Sequence, residues 1–565
     1  MWLIDSTTIR LKFVHGPGSS PYAILSHTWN DNNEVIFQEF NSPDRDITHL
    51  RFQKITGACT LARERSIPYV WVDSCCIDKS SSAELTEAIN SMFRWYKEST
   101  VCFTYLADLA VNSDLDRCLP KCKWFTRGWT LQELVAPKNV EFYDEAWNLI
   151  GSKLSLLELL SDITQMDENV LRDSNLLPNY TVAMRMSWAA NRHTTREEDL
   201  AYCLLGLFDV YLPLIYGEGS NAFIRLQEAI SQVTYDLSLF AWTDLDHQEK
   251  RQEYRGIFAL SPAEFKGCHY FWRSASWVFP KNEYTITNKG VRIVANLYEA
   301  ADVDQEDYCL LNLECWGPDL VFIRLVQTPD GYVRDRSDTV ILVSWLDALK
   351  LPRSQRREIY MSKTVTPALS EELTKRLRRG YYVEIDNQTL FKFTLVRKFP
   401  NNLWNMRKGC FMIGPNEEFT GLLELSISSN FDSMEQNEQL AILGSSFQWP
   451  RVFIVLDTRS RISAVGADNW QPWAAILPNQ EGNDIAHWPL ECSFDIVSAV
   501  RSLYEPHPWS TDYVPGPLVV SSMPTGDGVI YGDGFRLTVT VTACTDEMKT
   551  RNTNRLVINI QSVRV

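Results

Sequence analysis

Four short apolar runs, separated by stretches of helical periodicity, constrain what the first 150 residues can fold into. Between the second and third runs, Leu85, Ile89, Met92 and Tyr96 recur at the spacing of one helix face. The runs are Tyr22–Ser26, Tyr69–Val72, Val101–Leu106 and Val140–Tyr143. Continuous apolar runs are typical of strands buried on both faces, and strands that alternate with helices form parallel sheets. Residues 1–150 are therefore predicted to form an α/β domain with a parallel sheet.

The remaining residues divide into two parts by their pattern. Residues 151–245 are predicted to be helical throughout, with Thr195 and Glu198 spaced as a capping box. After residue 245, short runs such as Val291–Val294 carry alternating or β-branched residues. Residues 246–565 are therefore predicted to form a mainly antiparallel, β-rich region in one or two units. A chain of 565 residues is long enough for two to four domains.

Composition and charge exclude several classes of protein. Hydrophobic residues make up 45% of the chain and charged residues 22%, which is ordinary for a globular protein. The net charge of −16 argues against nucleic-acid binding through a basic surface. No apolar run approaches the ~18 residues of a membrane span, and Asp5 precedes any basic residue, unlike in a secretory signal. With 13 cysteines expected to be reduced, the sequence predicts a cytoplasmic protein.

The sequence predicts neither a bound cofactor nor a metal site. The phosphate-binding loop of nucleotide-dependent ATPases is absent. The glycine-rich word Gly217–Ala222 follows a run that contains Pro213, so it is predicted to be a turn before a helix. Cys75 and Cys76 are adjacent, and the pair Cys118 and Cys122 has no second pair nearby. Buried thiols account better for these cysteines than a zinc site does.

Polar and aromatic clusters follow three of the predicted strands. They are Ser26–Trp29, Asp73–Lys79 and Arg127–Leu134. Parallel sheets bind ligands beyond the carboxyl ends of their strands, so these clusters are expected to meet in one cleft. Glu133, half-buried against Trp129, would have a raised pKa and would suit acid/base chemistry or stabilisation of a cationic sugar. The alternative is that Glu133 forms a structural ion pair with Arg127 or Lys138.

Three words of the sequence closely resemble the signature blocks of the HET (heterokaryon incompatibility) domain family of filamentous fungi. They are Tyr22–Trp29, Trp71–Lys79 and Arg127–Glu133, in that family's order and spacing. The stretch from Arg185 to Gly219 resembles the extension that often follows such a domain. The resemblance implies an effector of nonself recognition, which triggers programmed cell death when genetically unlike cells fuse. It also implies that residues 151–245 form a helical extension packed on a HET domain at 1–150.

HET domains are thought to be distant relatives of TIR domains, many of which cleave the nicotinamide–ribose bond of NAD. Their catalytic glutamate lies in the word Trp-Cys-x-x-Glu-Leu, and Trp129–Leu134 has the same spacing with Thr130 in place of cysteine. The resemblance therefore implies a TIR/flavodoxin-like sheet, NAD as a substrate and Glu133 as the catalytic residue. It further implies a set of substrate-binding residues: Ser26, His27, Trp29, Asp73, Arg127 and Trp129.

Several of these assignments keep alternatives. Trp29 or Trp129 would stack on nicotinamide or adenine. The alternative for His27 and for both tryptophans is that they pack beneath the strand ends. Asp73 would line the cleft, or Asp73 and Asp78 would simply cap the helix that starts near Ser82. The rival for the whole chain is a non-enzymatic adaptor. Its HET domain would self-associate or bind a protein partner while the β-rich region binds a ligand.

Overall fold

The computed structural model describes residues 1–29, 34–244, 252–273, 283–301, 307–351 and 356–378, together with the strands beyond residue 380 that are named below. The chain divides into two compact units. The first comprises Met1–Arg251, Arg255–Leu325 and Val333–Thr364, and the second Gln252–Tyr254, Val326–Tyr332 and Val365–Val565. The first unit thus holds the α/β residues, the helical segment and part of the β-rich region. The domain boundaries at residues 150 and 245 stay predictions.

The first sheet has seven strands in the order β2-β1-β4-β3-β5-β6-β7. Their bounds are β1 (Trp2–Asp5), β2 (Leu11–Phe13), β3 (Tyr22–His27), β4 (Tyr69–Trp71), β5 (Val101–Tyr105), β6 (Val140–Tyr143) and β7 (Leu149–Ser152). The four predicted strands are confirmed, and they pair in parallel. Three strands that the sequence analysis missed, β1, β2 and β7, pair antiparallel, so the sheet is mixed. They are short, and β2 and β7 are partly exposed, which leaves only a weak apolar pattern.

The four parallel strands are arranged so that their order in the sheet reverses once. Counted along the chain, their spatial order is 2-1-3-4, as β4-β3-β5-β6. In doubly wound sheets of this kind, ligands bind beyond the carboxyl ends of the strands at the point where the order reverses. Here that point lies between β3 and β5, next to Ser26 and His27.

The helices of the α/β part are mostly where their periodicity predicts. They are α1 (Phe37–Phe40), α2 (Gln53–Glu64), α3 (Ser82–Glu98), α4 (Leu115–Cys118) and α5 (Thr130–Val135). Helix α3 begins after Ser81, whose side chain accepts a hydrogen bond from the Glu84 amide. The alternative in which Asp73 or Asp78 caps this helix is therefore wrong. The buried face of α3 runs from Ala88 through Met92 to Tyr96.

The segment 151–245 is only partly helical. Its helices are α6 (Leu157–Thr164), α7 (Glu168–Arg172), α8 (Val182–Ser187), α9 (Asp199–Tyr202), α10 (Leu205–Phe208) and α11 (Asn221–Val233). Short 3-10 helices occur at Pro17–Ser19, Leu50–Phe52, Leu119–Lys121, Lys123–Thr126, Ser174–Asn179, Leu237–Phe240 and Pro262–Phe265. The predicted capping box is wrong: Glu198 accepts instead from the amides of Gly217 and Gly219, at 2.6 and 3.2 Å.

Gly206 lets α10 lie directly against α3. A Cβ atom at this position would come within 2.1 Å of the Phe93 Cβ. Nearby, the Asn90 side chain exchanges two hydrogen bonds of 3.0 Å with the backbone of Leu212. These contacts join residues 205–212 to the helix that carries Tyr96.

Replacing Gly206 by alanine is expected to destabilise the chain by about 1 to 3 kcal/mol, because the added methyl group overpacks this contact. On helix propensity alone the same change would stabilise a helix, so the sign of the effect is diagnostic. Denaturant unfolding measures it. Gly18→Ala is the matched control, since no atom lies within 4 Å of a Cβ at Gly18. Equal stability of the two variants would contradict the close packing of α10 on α3.

A second sheet of ten strands follows, in the order β10-β11-β17-β15-β14-β13-β12, with β16 on β14, β8 on β15 and β9 on β13. The strands are β8 (Tyr254–Arg255), β9 (Trp272–Arg273), β10 (Tyr284–Thr287), β11 (Gly290–Ala295), β12 (Tyr298–Ala301), β13 (Asp307–Trp316), β14 (Leu320–Thr328), β15 (Gly331–Asp335), β16 (Ile341–Val343) and β17 (Arg357–Met361). Helices α12 (Trp345–Ala348) and α13 (Pro367–Arg378) lie between and after them.

The strands beyond residue 380 form two further sheets. The strands are β18 (Tyr381–Asp386), β19 (Phe391–Phe399), β20 (Trp404–Asn405), β21 (Cys410–Phe411), β22 (Thr420–Ser429), β23 (Arg451–Asp457), β24 (Trp473–Pro478), β25 (Gly526–Gly532), β26 (Phe535–Thr545) and β27 (Asn554–Arg564). The sheet orders are β20-β21-β18-β27-β26-β25 and β19-β22-β23-β24. Apart from the parallel pair β18–β27, the pairings are antiparallel, which confirms the predicted class. Across the described ranges, every helix is too short or too polar to cross a bilayer.

Candidate functional site

Glu133 lies on α5 with its carboxyl group buried beneath the end of β3. Only 5% of the surface of Glu133 is exposed to solvent. The Ser26 hydroxyl donates a hydrogen bond of 2.5 Å to the Glu133 Oε2, and the Trp124 Nε1 donates one of 2.7 Å to the Ser26 Oγ. Because an indole N–H can only donate, the Ser26 oxygen must accept from it, which directs the single hydroxyl hydrogen to Glu133.

The pKa of Glu133 is raised to about 8. Burial is the main cause, because it disfavours the charged carboxylate, and the negative charge of Asp73 adds to the effect. The hydrogen bond from Ser26, the charge of Arg127 and the nearby Tyr96 hydroxyl oppose it. At pH 7 this carboxyl group is therefore mostly protonated. In the described part of the chain, Glu133 forms no ion pair with Arg127 or Lys138, so the structural ion pair is not what holds it.

Asp73 follows β4 and points both carboxylate oxygens at N–H groups from the end of β3. Its Oδ1 lies 3.1 Å from the His27 Nε2, and its Oδ2 accepts from the Trp29 Nε1 at 2.9 Å. Burial acts to raise the pKa of Asp73, but the hydrogen bond and charge of His27 outweigh it and hold the pKa below its ordinary value. Two neighbouring carboxyl groups thus differ at neutral pH, with Asp73 ionised and Glu133 protonated.

The neighbours of His27 determine which of its ring nitrogens carries hydrogen. The Lys54 Nζ lies 3.3 Å from the His27 Nδ1 and also donates to the Thr28 carbonyl oxygen at 3.0 Å. An ammonium group can only donate, so the Nδ1 accepts and the Nε2–H donates to Asp73. Lys54 in turn pairs with Glu34. These contacts hold the His27 ring in one orientation.

The two tryptophans of the predicted set face different groups. The Lys79 ammonium lies 3.5 Å from the centre of the Trp29 ring, on its face. The side chain of Trp129 acts to lower the pKa of Asp199, which accepts a hydrogen bond from the Tyr216 hydroxyl at 3.1 Å. Burial raises the pKa of Asp199 above its ordinary value. The segment that follows the α/β residues therefore contributes directly to the surroundings of Trp129.

The helix that carries Glu133 is anchored at its beginning by residues from beyond position 190. The buried Arg192 guanidinium donates to the Arg127 carbonyl oxygen and to the Thr130 Oγ1, both at 2.9 Å. The His193 amide donates to the Thr126 carbonyl oxygen at 2.7 Å, and its own carbonyl accepts from Gly128 at 2.9 Å. A Cβ at Gly128 would come within 2.6 Å of Thr194, so only glycine allows this close approach.

The other end of α5 is held by a buried lysine. The Lys153 Nζ, 1% exposed, donates to the Leu134 carbonyl oxygen at 3.1 Å and to that of Pro137. A cation here satisfies carbonyl groups that a helix C-terminus leaves free. Burial lowers the pKa of Lys153 to about 8. With both ends fixed, α5 presents Glu133 to Ser26 in one orientation.

The structure brings most of the predicted site residues together. Ser26, His27, Trp29, Asp73 and Glu133 are linked by hydrogen bonds and by the mutual effect of the two carboxyl groups. Arg127 acts on Glu133 through its charge, whereas Trp129 acts on Asp199. The roles of these residues in binding or catalysis stay predictions.

Sequence reasoning missed four residues that support the site: Tyr96, Trp124, Lys54 and Arg192. Tyr96 appears in the sequence only as an apolar position of α3, but its hydroxyl donates to the Leu25 carbonyl oxygen at 3.3 Å and faces Glu133. Of these four residues, only Trp124 could have been suspected from the sequence, because it lies three residues before the block that begins at Arg127.

Neither the cysteines nor the glycine-rich word forms a second site in the described residues. Cys75, Cys76, Cys118 and Cys122 are free thiols, and the described ranges contain no group of three or more His, Cys, Asp or Glu side chains arranged for a metal ion. Gly217 and Gly219 have φ values of 102° and 58° and lead into α11 from a loop. They form the turn before a helix that the sequence predicts.

Comparisons with known proteins agree with the signature words. Residues 22–118 match the family model of "Heterokaryon incompatibility protein (HET)". The chain is 46% identical over 241 residues to the Vegetative incompatibility protein HET-E-1 of Podospora anserina, an alignment that covers 41% of this chain. The chain spans only 18% of the length of that relative. No solved structure matches this chain.

Proposed function

Because this chain carries a domain of the heterokaryon incompatibility family, we propose that it is an effector of nonself recognition that brings about programmed cell death. We further propose that its α/β part acts as a TIR-like NAD glycohydrolase with Glu133 as the catalytic residue. Its location in the cytoplasm stays a prediction. The relative from Podospora anserina supports the first proposal, since its name describes a vegetative incompatibility protein.

The observation that carries the enzymatic proposal is the position of Glu133. A carboxyl group with a strongly raised pKa lies at the carboxyl ends of parallel strands, where the strand order reverses. Carboxyl groups with perturbed pKa values at such strand ends are typical of active sites. The strand order 2-1-3-4 and the helix after the third parallel strand also agree with a TIR-like arrangement.

The proposed reaction is hydrolysis of the bond between nicotinamide N1 and ribose C1′. The N1–C1′ bond breaks with its electron pair going to neutral nicotinamide, and a cationic ribose centre develops. The Glu133 carboxylate stabilises this charge and then accepts a proton from the water that adds to C1′. The products are ADP-ribose, nicotinamide and a proton. The positive charge of a bound pyridinium would favour ionisation of Glu133, which burial alone disfavours.

The adaptor is the second candidate, and one observation favours it. Glu133 is only 5% exposed, and its neighbours Ser26 and Tyr96 are themselves buried. A carboxyl group in such surroundings is also suited to a purely structural role. In that case the HET domain would act by self-association or by binding a protein partner.

Cellular NAD and free nicotinamide, measured after induced expression of the full chain, test the proposal. We expect NAD to fall and nicotinamide to rise with the wild type, and both to stay unchanged with Glu133→Gln at equal abundance. Glu158→Gln, an exposed residue on α6, is the charge-matched control and is expected to behave as the wild type. The purified chain should then release nicotinamide from NAD, faster as the pH rises towards about 8, because the carboxylate is the active form.

The same measurement separates the two candidates. Cell death with unchanged NAD would reject the hydrolase and support the adaptor. NAD loss that persists in Glu133→Gln would reject Glu133 as the catalytic residue.

A further inference from the structure

One face of the Trp29 ring already holds a cation. The Lys79 ammonium lies 3.5 Å from the ring centre, well inside the distance of about 6 Å at which a cation is attracted by an aromatic face. The ring itself is fixed, because its Nε1 donates to the Asp73 Oδ2 at 2.9 Å. Asp73, and not Lys79, therefore holds the aromatic face in place.

The carboxylate that orients the ring also attracts the cation. Asp73 and Lys79 each favour the charged form of the other through their opposite charges. The His27 Nε2 lies 3.1 Å from the second oxygen of Asp73, and this contact helps the carboxylate to keep its charge and its orientation. The result is a site with an aromatic face and a negative charge side by side, at the strand end next to Glu133.

Lys79 lies outside the helices and strands, so its side chain can leave this site without breaking a backbone hydrogen bond of a helix or strand. It belongs to the loop between β4 and α3, and its residue is exposed to solvent. A cation–π contact at an exposed position is weak. A larger flat ring would gain more stacking area on Trp29 than a lysine head group does.

We propose that Trp29 and Asp73 form a binding site for a flat aromatic cation, which Lys79 occupies until a ligand displaces it. Among the described residues, one aromatic face contacts the cation, rather than the several walls that surround a quaternary ammonium in an aromatic cage, so the site suits a planar ring. An N-alkylated pyridinium, the charged end of NAD, is a ligand of this class. The inference rests on the proposed function for its biological ligand, but binding can be measured without any cleavage.

The test measures binding of 1-methylnicotinamide, a pyridinium cation that has no ribose bond to cleave, to the purified full chain by calorimetry. We expect Lys79→Gln to bind it about two- to fivefold more tightly than the wild type, since the competing cation is removed. Lys79→Arg keeps a cation on the ring and is expected to show no gain. Lys121→Gln, an exposed lysine remote in sequence from this loop, controls for the change in net charge.

Neutral nicotinamide is the matched ligand control and is expected to bind more weakly than the cation in every variant. Equal affinity of Lys79→Gln and wild type, or no measurable binding to Lys79→Gln, would overturn the site. Equal affinity for the neutral ring would overturn its charge selectivity. A gain in binding without NAD cleavage would keep the cation site and reject the hydrolase. Glu133-dependent cleavage of NAD without a gain in binding by Lys79→Gln would keep the hydrolase and reject the cation site.

Discussion

Glu133→Gln is expected to be more stable than the wild type at pH 9, by on the order of 5 kcal/mol, and to differ little from it at pH 4. The pKa of Glu133 is about 8 in the folded chain against an ordinary value of 4.5. Between these two pH values the folded state binds one more proton than the unfolded state. Raising the pH therefore destabilises the wild type, and the full penalty is present above about pH 8. Glutamine has no proton to lose, so the variant escapes this penalty.

The measurement is the free energy of unfolding in denaturant for both proteins at several values between pH 4 and pH 9. The difference between them is the useful quantity, because groups such as Lys153 titrate in both and cancel. The difference in free energy of unfolding between Glu133→Gln and the wild type should grow with pH, whereas that between Glu158→Gln and the wild type should not. A difference that stays constant across the range would mean that Glu133 is ionised in the folded chain at neutral pH, and would contradict its burial as the dominant influence.

Replacing Arg255 by methionine is expected to destabilise the first unit by about 3 to 5 kcal/mol, the usual cost of breaking a buried ion pair from one side. The Arg255 guanidinium donates to the Asp244 Oδ2 at 2.6 Å and to the Glu264 Oε1 at 2.9 Å, and all three side chains are buried. Despite its burial, these two carboxylates raise the pKa of Arg255. The guanidinium also lies over the face of Trp242, 4.7 Å from its centre.

Thermal or denaturant unfolding checks this expectation, with two further variants. Arg172→Met breaks an exposed pair with Glu168 and should cost less than about 1 kcal/mol. Adding Asp244→Asn and Glu264→Gln to Arg255→Met should recover much of the lost stability, because the buried negative charges are then gone. If Arg255→Met were no more harmful than Arg172→Met, the buried cluster would contribute nothing measurable.

Local patterns were sufficient to predict the four parallel strands and helix α3. The strands are buried on both faces, so each appears as a continuous apolar run, and α3 buries one face, so its apolar residues recur at helical spacing. The three antiparallel strands β1, β2 and β7 are too short to give a comparable pattern. The capping box at Thr195 and Glu198 failed because the Glu198 carboxylate finds the amides of Gly217 and Gly219, about 20 positions later.

The candidate site was only partly predictable, since its parts are far apart in the sequence. The signature words identify Ser26, Asp73 and Glu133, and the rule for parallel strand ends predicts that they meet. Nothing in the sequence indicates that Trp124 donates to Ser26 across 98 positions, or that Lys54 fixes the hydrogen of His27. Such contacts depend on how the helices pack on the sheet, which periodicity alone does not determine.

Because Arg192 and His193 hold the first turn of α5 in place, any shortened chain that keeps this helix positioned must include both residues. A fragment ending at residue 150 keeps Glu133 but loses the donors that fix the first turn of its helix, and it also loses Lys153 at the other end. A fragment ending at residue 118, where the family match stops, lacks Glu133 altogether. Moving the α/β part into another chain therefore requires at least the residues through Asp199, whose pKa responds to Trp129.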